Sequence, residues 1–340
     1  MSSSARVHPS LSDAIGNTPV IALTRLFDRS DVSLFAKLEA LNPGGSAKDR
    51  SAQGMLDDAL ATGRLRPGGT VVESSSGNLG VALARACTIA GVHFVCVVDS
   101  RANRSTVQTI QALGGEISLV SEPDPVTGDL LTARHARVRK LLTTIDGAIS
   151  LDQYANPANP RAHRDGTMTE LAQALDQDID VLLVATSTTG TIGGCQAYLR
   201  EHEMDTTLVA VDAQGSVLFD GTAGPRLLPG MGAGLVTRLS GQVQPDRVVR
   251  VSDAQCVAGC RALAAREGIL AGASAGGVVW ALGALLPELD AGAQVAVVLH
   301  DGGMAYLPTV YDDSWVHEQL GLDRPALDAL VAELPRAGGA

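Results

Sequence analysis

The sequence predicts an α/β protein of two domains, each with a mostly parallel sheet between two layers of helices. The first reason is that short apolar runs alternate with amphipathic stretches along most of the chain. Such alternation is typical of strand–helix–strand units, whose parallel strands are covered by helices on both faces. The second reason is that residues 154–160, rich in proline and asparagine, separate two regions that each show this alternation. A chain of 340 residues is long enough for two cores of ordinary size.

The individual elements follow the apolar periodicity of the sequence. In the first half it predicts three strands with helices between them, the strands at 70–73, 93–98 and 116–120 and the helices at about 51–61, 79–90 and 106–113. In the second half it predicts a strand, a helix and a strand at 181–185, 192–200 and 207–211. Because ligands bind beyond the carboxyl ends of parallel strands, the loops that lead from strand to helix are the candidate functional segments.

Composition and charge exclude several classes of function. Apolar residues make up 45% of the chain and charged residues 19%, as in soluble globular proteins. The net charge of −11, without a block of lysine or arginine, argues against nucleic acid or an anionic membrane as a partner. The N-terminus has no apolar signal segment, and every apolar stretch is too short to cross a bilayer, so we expect a cytoplasmic protein. The five cysteines are scattered, and we expect packing thiols and no metal site.

Two candidate loops lie in the first half of the chain. Segment 42–50 is rich in glycine and puts Lys48 at the start of a helix, where the helix dipole opposes protonation of the amine and favours imine chemistry. An exposed Lys48 paired with Asp49 is the alternative. Segment 73–80 puts three serines and Asn78 at a helix start, which suits a bound carboxylate. A serine N-cap without further function is equally consistent with it.

Two more candidate loops lie in the second half. Segment 187–191 offers hydroxyls and backbone N–H groups at a helix start, which suits a phosphate dianion, although the segment departs from the ATP-binding pattern. A threonine-rich helix cap is the alternative. Segment 268–277 holds Ser274 among small residues that let a flat ligand approach closely, or that let a helix pack tightly on a sheet.

Seven motifs in one order resemble a known family. They are IGNTPV (15–20), NPGGSAKDR (42–50), SSSGNLG (74–80), NPANP (156–160), STTGTIGG (187–194), GMGAG (230–234) and EGILAGASAGG (267–277). The series resembles the cysteine synthase and cystathionine β-synthase family of fold-type II enzymes, which depend on pyridoxal 5′-phosphate (PLP) and have a fold like that of the tryptophan synthase β subunit. The resemblance covers about residues 10–315, nearly the whole chain.

The resemblance implies a role for each candidate residue. Lys48 matches the lysine that forms the Schiff base with PLP and moves the α-proton, and Asn78 matches the partner of the PLP 3′-oxygen. The substrate carboxylate loop is matched by Ser75, Ser76, Gly77 and Asn78, together with Gln153. The phosphate loop is matched by Ser187, Thr188, Thr189, Gly190 and Thr191. Ser274 matches the partner of the pyridine nitrogen. A neutral hydroxyl at that last position leaves the nitrogen largely unprotonated, which favours β-elimination and β-replacement over transamination.

The resemblance also implies domain bounds and an assembly. Residues 44–155 would form a smaller domain with the carboxylate loop, and residues 10–43 with 156–325 a larger, PLP-binding domain. Residues 326–340 would form a C-terminal tail, disordered from Pro335 onward. The family resemblance implies a homodimer that acts on small amino-acid substrates.

Departures from the family pattern point to a subgroup. Leu79 replaces the usual threonine, Tyr154 the usual phenylalanine, and segment 300–307 lacks the usual Glu–Arg pair. With VDAQGSV (211–217), RLLPGMGAG (226–234) and TVYDDSW (309–315), these features resemble the N-(2-amino-2-carboxyethyl)-L-glutamate synthases of 2,3-diaminopropionate biosynthesis, a route to siderophores and peptide antibiotics. Those enzymes join O-phospho-L-serine to the amine of L-glutamate and release phosphate. Candidate partners for the phosphorylated donor are Arg226, Arg164 and Tyr154, and Ser187 could reach the external substrate. Either arginine could instead form a surface ion pair.

Several other functions compete with this interpretation. The nearest is a cysteine synthase that uses O-acetylserine or O-phosphoserine with sulfide. A cystathionine-type synthase and a serine or threonine dehydratase are further alternatives with the same cofactor. A Rossmann oxidoreductase is disfavoured because no G-x-G-x-x-G follows an early strand. A non-catalytic binding protein would have no need of Lys48, Asn78 and Ser274 together.

Overall fold

A computed structural model of the protein describes residues 7–336. Residues 1–6, part of the segment searched for a signal, and residues 337–340 of the expected disordered tail lie outside the described residues. The described chain contains nine strands, β1 (Val20–Ala22), β2 (Ser33–Leu38), β3 (Thr70–Ser74), β4 (His93–Asp99), β5 (Glu116–Val120), β6 (Val181–Ala185), β7 (Thr207–Ala213), β8 (Arg247–Val251) and β9 (Gln294–Leu299).

The same residues contain eleven α-helices. They are α1 (Lys48–Ala61), α2 (Asn78–Ala90), α3 (Arg104–Ala112), α4 (Leu130–Thr144), α5 (Ala158–Ala162), α6 (Thr169–Ala174), α7 (Gly190–Glu201), α8 (Asp253–Glu267), α9 (Ala273–Leu285), α10 (Asp313–Leu320) and α11 (Arg324–Glu333). A π-helical turn, His163–Met168, joins α5 to α6. Within residues 7–336, none of these helices is both long and apolar enough to cross a membrane.

The chain divides into two compact units. Of the described residues, the small unit comprises 7–17 and Asn42–Asp152, and the large unit comprises Thr18–Leu41 and 153–336. Residues 10–17, which the sequence interpretation gave to the larger domain, group with the small unit, where Gly16 N donates to Asn42 Oδ1 over 2.9 Å. At the other boundary, Tyr154 groups with the large unit, because its carbonyl accepts a hydrogen bond from Leu239 N.

The small unit is built on a parallel three-stranded sheet in the order β3-β4-β5. On one face, valines of β3 and β4 pack against Val138 of α4. On the other face, Gly80 of α2 approaches the Cys96 side chain so closely that a Cβ at residue 80 would lie 3.3 Å from its sulfur. Because successive strand side chains point to opposite faces, the sheet is covered by helices on both sides.

The large unit is built on a six-stranded sheet in the order β1-β2-β9-β6-β7-β8. Only the edge pair β1–β2 is antiparallel, and the other four pairs are parallel. Val209 and Val211 of β7 pack with the helices α8 and α9 in one core cluster, whereas Leu208 and Ala210 pack with α6 and α7 in another. The predicted α/β class, with a mostly parallel sheet between helical layers, is therefore confirmed.

Two of the differences from the sequence expectations concern the large unit. The helix at the C-terminal side of the phosphate-like loop begins at Gly190 rather than near 192, because helical periodicity is invisible in its glycine-rich first turn. The expected tail from residue 326 is instead helical through Glu333. Leu327 and Leu334 are buried in the core of the large unit, and Arg266 Nη1 donates to the carbonyl of Pro335 over 2.7 Å. These apolar contacts and the arginine hold the segment in place.

Glycines set the contact between α8 and α9. A Cβ at Gly259 would lie 2.0 Å from the carbonyl oxygen of Gly276, and a Cβ at Gly276 would lie 2.0 Å from the carbonyl oxygen of Cys256. The two helix backbones therefore touch directly, and neither position has space for a side chain.

We expect Gly276→Ala to lower the free energy of unfolding by about 2 kcal/mol or more, because the added methyl must displace backbone rather than a flexible side chain. Urea denaturation followed by circular dichroism measures the change. Gly241→Ala is the control, since a Cβ there would meet no atom within 4 Å; it should change stability by less than about 0.5 kcal/mol. Equal effects of the two substitutions would refute this account of the contact.

Candidate active site

Lys48 is the first residue of α1 and is half-buried. The loop before it is a tight turn in which Gly45 N donates to the carbonyl of Asn42 over 2.8 Å, and Gly45 has a left-handed φ of 81°. Ser46 Oγ then accepts a hydrogen bond from Lys48 N over 3.2 Å. This local bonding positions the lysine at a helix N-terminus, as the glycine-rich pattern predicts.

The loop is tied to α2 by a buried ion pair. The Asp49 carboxylate accepts hydrogen bonds from Gly44 N (2.9 Å) and from Arg85 Nη1 (3.0 Å), and Arg85 belongs to α2. A Cβ at Gly44 would lie 2.1 Å from Asp49 Oδ1, so glycine is required there. Burial raises the pKa of the Asp49 carboxyl, while the Arg85 charge opposes the shift. Lys48 is half-buried rather than exposed, and the Asp49 carboxylate is bound by Arg85.

The serine-rich loop of the small unit lies between β3 and α2. Ser75 Oγ accepts a hydrogen bond from Gly80 N over 3.0 Å, so one hydroxyl does cap the helix, as the alternative interpretation proposes. The N-cap residue, Gly77, supplies no side chain. Ser76 and Asn78 are half-buried. The loop therefore keeps polar groups at a helix N-terminus in addition to the capping serine.

A buried carboxylate, that of Glu73, supports the serine-rich loop. Glu73, at the end of β3, accepts hydrogen bonds from Ser150 Oγ (3.0 Å), Asp152 N (3.0 Å) and Ser74 N (3.3 Å). Burial raises the pKa of this carboxyl, and the three hydrogen bonds oppose the shift. Glu73 thereby fixes the strand end from which the loop departs. Nothing in the sequence marks Glu73 for this role, since a glutamate beside serines is typical of a surface segment.

The phosphate-like loop of the large unit, residues 187–191, joins β6 to α7. Thr188, Thr189 and Thr191 are buried, and Thr189 is the N-cap of α7 with a left-handed φ of 64°. Such a conformation is costly for a β-branched residue and tends to occur at ligand sites. The buried hydroxyls lie at the start of a twelve-residue helix, as the sequence predicts.

The asparagine–proline segment is part of this site rather than a simple boundary. Asn159 Nδ2 donates to the carbonyl of Gln153 (2.8 Å) and to Thr188 Oγ1 (3.4 Å). A Cβ at Gly190 would lie 2.1 Å from Asn159 Oδ1, so the amide lies directly against the first turn of α7. The structure thus brings Gln153 and the phosphate-like loop together through Asn159. No local signal could have shown this pairing, because the partners are far apart in sequence.

Ser187 and Arg226 meet at the glycine-rich segment 230–234. Ser187 Oγ donates to the carbonyl of Gly232 over 3.2 Å. A Cβ at Gly232 would lie 2.6 Å from Arg226 Nη1 and one at Gly234 3.5 Å from Nη2, so the guanidinium packs along this segment. Arg226 Nε is buried and makes no hydrogen bond to the described residues. A buried donor of this kind is costly unless it meets an acceptor, and a bound carboxylate or phosphate would supply one.

Ser274 lies in the first turn of α9 and is buried. The N-cap, Gly272, has no side chain, and a Cβ there would lie 2.1 Å from Asp301 Oδ1. Tyr306 donates its hydroxyl to Asp301 Oδ2 over 2.8 Å, and Tyr311 donates to the carbonyl of Ala271 over 2.7 Å. This polar cluster holds the backbone just before Ser274. Its tyrosines and Asp301 come from segments 300–307 and 309–315, and no local pattern connects these segments with Ser274.

The other predicted residues are placed as follows. Tyr154 is exposed and Gln153 is buried. Arg164 forms ion pairs with Asp165 (2.6 Å) and Glu201 (2.9 Å), as the alternative of a surface pair proposes. The five cysteines are buried and unbridged. Within residues 7–336, no group of three or more His, Cys, Asp and Glu side chains could hold a metal ion.

The candidate residues supply the three kinds of partner that PLP requires. Its aldehyde needs an amine, and Lys48 carries one at a half-buried helix start. Its phosphate needs hydroxyls and free N–H groups, which the buried start of α7 offers. Its ring nitrogen needs a hydrogen-bonding partner, and Ser274 is a buried hydroxyl. The donor set fits PLP.

A family model described as pyridoxal-phosphate dependent enzyme matches residues 11–301. The chain belongs to this family. The predicted family and its cofactor are therefore confirmed, and the protein is a PLP-dependent enzyme. Small amino acids are suitable substrates for an enzyme of this family.

Individual relatives agree with this membership. The chain is 43% identical over 307 residues to N-(2-amino-2-carboxyethyl)-L-glutamate synthase of Ralstonia nicotianae, covering 90% of each protein. It is similar in structure to the O-acetylserine dependent cystathionine β-synthase of Helicobacter pylori, with a TM-score of 0.82, 28% identity and coverage of 90% of this chain and 99% of that one. It is also similar to O-ureido-L-serine synthase, with a TM-score of 0.83, 30% identity and coverage of 96% and 100%.

The buried Glu73 predicts a pH-dependent stability. Because its folded pKa lies above the unfolded value, Glu73 contributes stability that is present at low pH and lost as the pH rises through the folded pKa. The free energy of unfolding of the native chain minus that of Glu73→Gln should therefore fall as the pH rises above about 4.5, by at most about 1.4 kcal/mol per pH unit. Urea titrations at a series of pH values measure this difference.

Glu288 provides a control of opposite sign. Hydrogen bonding to Arg247 lowers the pKa of the exposed Glu288 carboxyl. The corresponding difference for Glu288→Gln should therefore increase as the pH rises towards about 4.5 and stay level above that pH. A Glu73 difference that rises with pH would contradict the assignment of a raised pKa.

Proposed function

We propose that the enzyme catalyses a β-replacement in which O-phospho-L-serine and L-glutamate give N-(2-amino-2-carboxyethyl)-L-glutamate and phosphate. The observation that carries the proposal is the 43% identity, over 90% of both proteins, to a relative named as the synthase of this product. The product is the first intermediate on the route to 2,3-diaminopropionate, a precursor of siderophores or peptide antibiotics. The choice of O-phospho-L-serine as donor rests on the resemblance of segments 211–217, 226–234 and 309–315 to that subgroup.

Lys48 is proposed to hold PLP covalently. The sequence has three lysines. Lys37 is fully buried and paired with Glu170 over 2.6 Å, and Lys140 is exposed on α4. Lys48 alone of the three stands half-buried at a helix N-terminus, where the dipole favours the neutral amine that imine formation requires. After releasing the cofactor, the same amine would move the proton of the substrate α-carbon.

The other cofactor contacts follow from the chemistry of each loop. When bound, PLP withdraws electrons from the substrate α-carbon and so permits loss of the β-substituent and addition of a nucleophile. Asn78 is proposed to hydrogen-bond the 3′-oxygen, and Ser187, Thr188, Thr189, Gly190 and Thr191 to bind the phosphate. Ser274 is proposed to meet the pyridine nitrogen. A hydroxyl there does not hold that nitrogen protonated, which supports β-replacement rather than transamination.

The substrate carboxylate is proposed to bind the serine-rich loop with Ser75, Ser76, Gly77 and Asn78, together with Gln153. Ser75 accepts from Gly80 N and keeps its own hydroxyl proton for an anion. The positive end of the α2 dipole suits the same carboxylate. These groups would orient the amino acid for chemistry at its β-carbon.

Arg226 and Tyr154 are proposed to bind the anionic part of the donor or of the glutamate nucleophile. The buried and unpartnered Nε of Arg226 supports this role, since a guanidinium can bind a carboxylate or phosphate through two parallel hydrogen bonds. The exposed Tyr154 offers a phenolic hydroxyl near the boundary of the large unit. Family resemblance further supports a cytoplasmic homodimer. Analytical ultracentrifugation tests whether the protein is a dimer.

A cysteine synthase using O-acetylserine or O-phosphoserine with sulfide is the second candidate. It is favoured by the structural similarity to the O-acetylserine dependent cystathionine β-synthase of Helicobacter pylori. The two candidates share every cofactor contact and differ only in the donor and the nucleophile. Substrate assays therefore separate them better than spectroscopy does.

We expect purified enzyme to consume O-phospho-L-serine and L-glutamate together, with release of one phosphate for each product molecule. Mass spectrometry of the amino-acid product and a phosphate assay measure this reaction. The four combinations of O-phospho-L-serine or O-acetyl-L-serine with glutamate or sulfide form the control set. Turnover with sulfide alone as nucleophile would overturn the glutamate assignment and support the cysteine synthase.

We expect Lys48→Ala to lose activity by at least about a thousandfold, because no other amine is placed to hold the cofactor. Borohydride reduction of the native holoenzyme should leave a pyridoxyl group on the peptide that contains Lys48, and the variant should show none. Lys140→Ala is the control and should retain both activity and adduct. An adduct on Lys37 or Lys140 would refute the assignment.

A further inference from the structure

A buried histidine lies beneath the phosphate-like loop. His163 has no exposed surface, and its Nδ1 lies 3.0 Å from Thr167 Oγ1. On the other side of the ring, Nε2 lies 3.4 Å from Oγ1 of Thr191, the last hydroxyl of the loop. Both threonines are also buried. The imidazole therefore bridges two hydroxyls, one of which belongs to the proposed phosphate site.

The backbone holds this imidazole in place. His163 begins the π-helical turn His163–Met168, and turns of this type occur frequently at functional sites. A Cβ at Gly194 of α7 would lie 2.4 Å from the carbonyl oxygen of Pro160 and 2.7 Å from His163 Cβ. The helix that carries Thr191 is therefore pressed onto the turn that carries His163, and neither can shift without the other.

The hydrogen-bonding capacity of the ring restricts how the bridge works. A neutral imidazole has one donor and one acceptor nitrogen. If Nε2 accepted the Thr191 hydroxyl proton, that hydroxyl could no longer donate to a phosphate oxygen. If Nε2–H instead donates to Thr191 Oγ1, the Thr191 hydroxyl is free to donate to the anion, and Nδ1 accepts the proton of Thr167. Only this second arrangement directs a donor towards a phosphate.

We propose that His163 is a positioning residue for the cofactor phosphate, acting as an Nε2–H tautomer that aligns the Thr191 hydroxyl. The proposal rests on the proposed assignment of residues 187–191 to the PLP phosphate. In this chain of contacts Thr167 selects the tautomer, His163 transmits the orientation, and Thr191 touches the ligand. Polarisation along such a chain strengthens the last hydrogen bond, which is made to a charged acceptor.

The first test compares two replacements of the ring. His163→Leu removes the donor, whereas His163→Gln can present an amide N–H near the position of Nε2. We expect His163→Leu to raise the PLP dissociation constant, measured by equilibrium dialysis of the holoenzyme, by about tenfold or more, and His163→Gln by no more than about threefold. The ³¹P resonance of bound PLP should shift in the leucine variant and return towards the native position in the glutamine variant. The exposed His317→Gln is the control and should change neither.

Thr191→Val separates this proposal from the assignment on which it rests. Unchanged PLP affinity in Thr191→Val would show that the loop does not bind the phosphate through this hydroxyl, and both proposals would fail. A second outcome is that Thr191→Val binds PLP more weakly, whereas His163→Leu leaves both the PLP affinity and the ³¹P shift unchanged. That outcome would support the loop assignment and overturn the role of His163. Equal losses in the leucine and glutamine variants would show a packing role only, and would also overturn it.

The tautomer can be tested without any change in the native chain. In ¹⁵N-histidine-labelled holoenzyme, the His163 signals are identified by their absence from the His163→Gln spectrum. We expect a protonated Nε2 and an unprotonated Nδ1 for this residue. A protonated Nδ1 would overturn the proposal, even if the leucine variant failed to fold.

Discussion

Parallel pairing of β6 with β9 on one side and with β7 on the other is the constraint on which the large unit's part of the site depends. Because parallel strands end at the same edge of a sheet, the segments that follow them are gathered there. The loop after β6 carries the buried threonines, the segment after β7 leads to Arg226 and Gly232, and the segment after β9 carries Asp301. The hydrogen bond from Ser187 to Gly232 is a direct consequence of this arrangement. Without the parallel register these residues would have no reason to meet.

Behind each loop stands a buried polar group whose hydrogen bonds are made within its own unit. Asp49 is held by Arg85, Glu73 by Ser150 and by backbone N–H groups, and His163 by two threonines. Burial makes such groups costly unless they are paired, so each network has one favourable geometry and resists the alternatives. This is how loops rich in glycine and serine, which are flexible by composition, can present fixed donors to a ligand. Gly44, Gly190 and Gly194 pack so closely against their neighbours that a side chain at any of them would displace these groups.

Much of the fold and the four loops of the candidate site could be predicted from the sequence alone, whereas the groups that support those loops could not. Strands such as 116–120 and 181–185 were predicted with the bounds that the structure has, because apolar runs between turn residues are a local signal. The four loops were found for the same reason, since hydroxyls and glycines at strand-to-helix junctions are visible in sequence. The helix α11 inside the predicted C-terminal tail was not expected, because the burial of Leu327 depends on a core that is formed by distant residues. Asn159 lies in the predicted boundary segment and in the motif NPANP, but neither pattern shows that its amide secures the start of α7.

The sequence by itself determined the α/β class, the PLP-dependent family and the order of the loops, because these follow from periodicity and from motifs that are contiguous along the chain. Tertiary structure alone decided which carboxylate meets Arg85, why Glu73 is buried, and that His163 lies beneath Thr191. Those facts depend on pairs of residues separated by many positions, as Asp49 is from Arg85 and His163 from Thr191. Their partners are chosen by sheet register and helix packing, which no local pattern encodes. Burial then strengthens the electrostatic interaction within each pair, since the same groups would interact only weakly in water.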